Sequence, residues 1–171
     1  MGGVDADRTF EVLMNDSVRW GRLNEPDVTV DRESARTSGI IKQSYLRLAQ
    51  SLANQGKSDS VVEVLDRGIY FFPNYKFPFD YYMIPWIDMY YNAGAHEKGN
   101  ELLKTLSGIY TEDLAYYASD KRFNKAYENE IQESLAVLQR LGQLAQENQE
   151  SELAAQIDQT FKDYMTLMNY D

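Results

Sequence analysis

From Ile40 to the end of the 171-residue chain, apolar side chains recur three and four positions apart, and no stretch alternates as a strand would. That spacing puts them on one face of a helix. In "IIKQSYLRLAQSLANQG" the face carries Ile41, Tyr45, Leu48, Ala49 and Leu52, and Gly56 stands where a helix C-cap belongs. "SDSVVEVLDRGIYFFP" repeats the pattern with Val61, Val62, Leu65, Ile69 and Phe72 until Pro73 stops it. Two helices joined by a turn of about four residues form an antiparallel hairpin. The spacing therefore predicts an all-α chain of stacked hairpins.

A repeat is visible. Gly56 and Gly94 lie 38 residues apart in similar contexts, "SLANQGKSDSVVEVL" and "MYYNAGAHEKGNELL". The pattern of large, small and turn residues resembles the tetratricopeptide repeat. Tyr45, Leu48, Ala49, Leu52, Gly56, Val61, Leu65, Gly68 and Pro73 carry the likeness in the first unit. Met83, Trp86, Tyr90, Gly94, Gly99 and Leu103 carry it in the second, which departs at Ile87 and Thr111. A degenerate third unit, roughly 134–167, keeps Val137, Leu141, Leu144, Leu153 and Ile157. The resemblance implies a right-handed tetratricopeptide-like solenoid of two or three repeats over residues 40–171. One hairpin cannot bury its own apolar face, so about three must stack. An unrelated helical bundle is the alternative.

Residues 1–39 read differently. A short helix is expected near 7–15, capped by Asp5 or Asp7. "GRLNEPDVTVDRESARTSG" then reads as an irregular surface segment, with room for a short strand at 28–30. Further on, Pro85 either sits in the first turn of a helix or bends it. "TEDLAYYASD" reads as a separate helical piece, and residues 123–149 as one long helix. Between Tyr70 and Tyr91 lie eleven of the chain's 22 aromatic residues. Most are expected in the joint between repeats, leaving Tyr81, Tyr91 and Tyr75 to face a partner. Trp86→Ala is expected to unfold the domain and Tyr91→Ala only to weaken binding.

A net charge of −10 argues against nucleic acid, which requires clustered Lys and Arg, and against docking on anionic lipid. Without cysteine there are no disulfides or thiolate metal sites. No run of about 18 apolar residues is present to insert in a bilayer. The start "MGGVDADRTF" lacks the plan of a secretory signal, and Met1-Gly2-Gly3 reads as a vector remnant.

The acidic start before a short helix, "RWG" at 19–21, "DRESAR" at 31–36 and the repeats after them support a second resemblance. Up to about Asn100 the chain is similar to the soluble C-terminal region of large polytopic membrane proteins of Bacteroidetes. These form a domain-of-unknown-function family grouped with protein O-mannosyltransferase-like enzymes. The resemblance implies a periplasmic domain following a membrane glycosyltransferase body that holds the active site. Apart from it, the chain reads as cytoplasmic.

Catalytic chemistry has little support. His96, in the turn "NAGAHEKG", has only Glu97 as a close acidic neighbour, so neither metal nor cofactor is expected. Glu128, Glu130 and Glu133 read as a solvated helix face, since acid–base catalysis requires burial to move carboxylate pKa values. "DSV" at Ser17 and Ser60 looks like an O-glycosylation acceptor but is short enough to arise by chance. The expected site is a concave groove lined by first helices. The first unit would contribute Gln43, Leu46, Gln50, Ala53 and Asn54, and the second Tyr81, Ile84, Asp88, Tyr91 and Asn92. Amide and phenol groups suit peptide backbone or sugar hydroxyls. Leu46 and Gln50 stand where a terminal-carboxylate clamp needs Lys and Asn, so tail binding is not expected. The function expected is a non-catalytic module binding a protein or peptide, or the parent's own membrane body. The alternative is a structural or oligomerising cap.

Overall fold

A computed structural model describes residues 5–16 and 20–168. Among these residues the regular structure is helical and there is no strand. The helices are α1 (Ala6–Leu13), α2 (Arg32–Ala53), α3 (Ser58–Phe71), α4 (Ile84–Asn92), α5 (His96–Ala118), α6 (Lys121–Ala126), α7 (Glu128–Glu147) and α8 (Ser151–Leu167). Contacts divide the chain into two compact units, Met1–Gly99 and Asn100–Asp171, with the boundary inside α5.

In the first unit, Asp5 caps α1 by accepting from the Arg8 amide at 3.1 Å. Residues 20–30 run without strand geometry. The main departure from expectation follows. α2 starts at Arg32 rather than near Ile40, because Asp31 is a strong N-cap. Its carboxylate accepts from the amides of Glu33 and Ser34 at 2.9 and 3.0 Å, satisfying donors a helix start leaves open. Two additional turns, which include "RESAR", therefore belong to the first long helix.

Three helix ends close alike. Gly56 and Gly94 adopt φ of 71° and 79°, the left-handed region where a Cβ is penalised. Beside them the Lys57 amide reaches back to Leu52 O at 3.1 Å, and Ala95 to Tyr90 O at 2.9 Å. In the second unit Gln149 takes the same position, with φ 65°, and the Glu150 amide reaches Ala145 O at 2.9 Å. This is the six-to-one bond of a Schellman cap three times over.

The core of the first unit is aromatic. Tyr45 of α2, Phe72, and Trp86 and Tyr90 of α4 are essentially fully buried. Gly68 makes this possible: a Cβ there would lie 2.5 Å from Trp86 Cη2 and 3.3 Å from Tyr45 Cγ. The aromatic run divides much as its spacing suggested. Phe72, Phe77, Phe79 and Trp86 are buried, while Tyr70, Tyr75, Tyr81 and Tyr82 are exposed. Pro85 falls in the first turn of α4, after a 3-10 turn at Tyr81–Met83, so it starts the helix without bending it.

The N-terminal segment is tied down at several points. Arg67 Nε donates to Leu13 O at 3.1 Å, its Nη2 meets Asp16 Oδ1 at 3.1 Å, and its guanidinium lies over Phe71. Trp20 meets Phe72 edge-on at 5.7 Å. The Tyr75 hydroxyl and Lys76 Nζ donate to the main-chain carbonyls of Asn24 and Glu25.

In the second unit α7 and α8 form a hairpin whose buried face includes Ile131, Leu135, Leu138, Leu141, Leu144, Leu153 and Ile157. Two expectations are corrected there. "TEDLAYYASD" is mostly the continuation of α5, since Thr111 supplies the amide a proline would lack. The expected long helix 123–149 is broken at Tyr127 into α6 and α7. Tyr116, Tyr117, Phe123 and Tyr127 cluster near that break, Tyr116 stacking on Phe123 at 5.2 Å and Tyr117 on Tyr127 at 5.1 Å.

Candidate functional site

Along α2, positions 36, 40, 43, 47, 50 and 54 fall alternately four and three apart and share one face. They are Arg36, Ile40, Gln43, Arg47, Gln50 and Asn54. The first four line one wall of a cleft of about 640 Å³ in the first unit. The other wall comes from Asp80, Tyr82, Met83 and Trp86, at the 3-10 turn and the start of α4. Asp80 caps that turn by accepting from the Tyr82 amide at 3.0 Å, and Asn74 Oδ1 holds the Phe79 amide at 2.8 Å. The wall is thus set by local hydrogen bonds and by Pro85.

The cleft combines cations with apolar surface. Arg36, Lys42 and Arg47 line it against a single carboxylate, Asp80. None of the three makes an ion pair within 4.0 Å among the described residues. Elsewhere in this unit Arg22, Lys57, Arg67 and Lys98 each meet a carboxylate. Lys42 lies 5.6 Å from the centre of the Phe79 ring. Burial holds its ammonium below the ordinary lysine pKa, and the field of Asp80 offsets this only in part. Ile40 is 72% exposed and Tyr82 55% exposed, above the buried Met83 and Trp86.

Of the residues expected in the groove, Gln43 lines the cleft. Gln50, Ala53 and Asn54 are exposed farther along α2. Tyr81 lies against Tyr82 with ring centroids 4.3 Å apart and planes tilted by 34°, but it is Tyr82 that lines the cleft. Ile84 and Asp88 are half-buried and Asn92 exposed, and none of them lines the cleft. Two expectations are corrected. Leu46 is core, on the α2 face beside Tyr45. Tyr91, only 4% exposed, is buried rather than open to solvent. Its ring fills the space left by Gly99, where a Cβ would stand 2.9 Å from Tyr91 Cε1.

Sequence reasoning missed Arg36 because it started the helix eight residues late, while Ile40, Lys42 and Arg47 lay inside the expected helix but off the positions assigned to the groove. The pattern Asp31-x-x-Ser34 with Glu33 in the first turn is a start signal that would have found Arg36. Arg47 was legible from its place between Gln43 and Gln50.

His96 is exposed, its ring 5.4 Å from that of Tyr91. Among the described residues no group of three or more potential metal-ligating side chains converges. Glu128, Glu130 and Glu133 are exposed on α7, and Ser60 is half-buried in the first turn of α3. Ser17 and Arg19 lie outside the described residues. Among the described residues no helix is long and apolar enough to cross a membrane. No protein-family model, curated protein or solved structure matches the chain.

Proposed function

We propose that this chain is a non-catalytic interaction module of tetratricopeptide-like repeats that receives a protein or peptide partner in the α2–α4 cleft. The observation that carries this reading is the cleft itself, open to solvent between α2 and the start of α4 and furnished with cationic and apolar side chains. The repeated Schellman turns and the glycine-mediated contact of Trp86 with α3 support the repeat assignment. The resemblance to Bacteroidetes membrane proteins supports a periplasmic setting, beside a glycosyltransferase-like body that is the chain's partner or presents one.

The test is retention of the parent's membrane body, or of a periplasmic protein, on the immobilised chain and on its Ile40→Glu variant. Ile40 is exposed, so the variant should fold, and loss of retention with it supports the reading. Equal retention by both forms would overturn the cleft as the docking surface. A purely structural cap predicts a different result: removing residues 40–171 from the parent would lower its abundance and leave its specific activity unchanged.

A further inference from the structure

The cleft's chemistry narrows the partner. Eleven Lys and Arg against fourteen Asp and Glu leave residues 1–99 at −3, and six against thirteen leave residues 100–171 at −7. On so acidic a chain, Arg36, Lys42 and Arg47 gather in one cleft facing one acid, Asp80. An unpaired, partly desolvated ammonium is costly, and an incoming anion relieves that cost. Lys42 is in this condition, resting on the Phe79 ring with its charged form disfavoured by burial.

Spacing decides between a compact anion and a distributed one. Arg36 and Arg47 are eleven residues apart on α2, about 16 Å along its axis at 1.5 Å per residue. An extended peptide covers that span with about five residues. Between the two arginines stand Lys42, Gln43 and an exposed apolar stretch, Ile40 with Tyr82 opposite, over the buried Met83 and Trp86. A small phosphate or carboxylate would satisfy one end and leave that apolar stretch wet.

We infer that the cleft binds an extended acidic peptide segment in which an apolar side chain sits between carboxylates. The carboxylates meet Arg36 and Arg47 at the two ends and Lys42 between them, while the apolar side chain covers Ile40 against Tyr82. Asp80 excludes an acid from its own corner and favours a neutral or basic residue there. The inference rests on the reading of the chain as a peptide-binding module.

The experiment is fluorescence anisotropy of the full chain with labelled nine-residue peptides, amidated so that no terminal carboxylate contributes. One peptide has the core Glu-Asp-Leu-Asp-Glu, a second replaces the acids by Gln and Asn, and a third replaces Leu by Ser. The acidic peptide should bind at least tenfold tighter than the neutral one and severalfold tighter than the Ser peptide. Arg36→Gln and Arg47→Gln should each weaken it about fivefold, with circular dichroism unchanged. Equal binding of neutral and acidic peptides, abolished by Ile40→Glu, would overturn the acidic preference and leave the module reading standing. Absence of binding by any member of a random peptide array would overturn both. Arginine-dependent binding of phosphatidylglycerol vesicles or of a single-stranded oligonucleotide, without the peptide, would also overturn the inference.

Discussion

Gln149 holds a backbone conformation that two glycines hold elsewhere in the chain. A non-glycine residue there costs roughly 1–2 kcal/mol through its Cβ, and glycine returns part of this by being freer when unfolded. Gln149→Gly should therefore stabilise the protein by about 1 kcal/mol, seen as a higher denaturant midpoint at unchanged slope. Tyr91 shows the opposite sensitivity. Buried against Gly99, it belongs with Trp86 among core truncations, and Tyr91→Ala should cost roughly 3–5 kcal/mol on the same measurement. Lys42 separates stability from binding. Its folded pKa lies below its unfolded value, so the charged form costs stability below the folded pKa, a cost relieved as pH rises through that value. Lys42→Met should raise the thermal midpoint at pH 7 and at the same time weaken the acidic peptide. In the unmodified chain, affinity should be greatest below the pKa of free Lys42 and fall as the pH of the titration rises through it, with Asp80, Arg36 and Arg47 as the other charges around the ammonium.

Among the elements, α2 shows where sequence reading succeeds and where it stops. Its core face, Tyr45 to Leu52, was legible because 3.6-residue periodicity and burial coincide there. Its first two turns were not, because Arg32–Gly39 carry almost no apolar residues and only the cap announces them. The cap is also the point of control. The Ser34 hydroxyl and amide, with the Glu33 amide, hold the Asp31 carboxyl below its ordinary pKa. Its contribution is present above the unfolded pKa and is lost as pH falls through the depressed folded value. Asp31→Ala should leave Tyr45–Ala53 protected in hydrogen exchange while residues 32–39 exchange faster. Arg36 would then be displaced, and affinity for the acidic peptide should drop without loss of the core. The break at Tyr127 was illegible for a related reason: periodicity on both sides of it is helical, and the interruption falls beside an aromatic cluster that only the fold assembles.

Across the whole molecule, the excess of acid makes one salt series informative. Self-repulsion in a chain of net charge −10 is screened by added salt, so the thermal midpoint should rise between low and moderate ionic strength. Cleft binding rests on opposite charges and should weaken over the same range. Two responses of opposite sign, measured on one preparation, separate general electrostatics from the local exception. Total charge was legible from composition, and it argued against nucleic acid and anionic lipid. The cationic cleft was hidden because its residues are scattered over positions 36–47 and converge only once α2 is a single helix. The strap over residues 20–25 was equally hidden, since Tyr75 and Lys76 reach it across 51 positions of sequence. Both donate to main-chain oxygens, which every residue type supplies in the same place. Apart from Trp20, packed on Phe72, the course of the segment is thus specified by its receiver, and its outward side chains are left open to substitution. A surface of that kind can be rewritten residue by residue while the body beneath it keeps its shape.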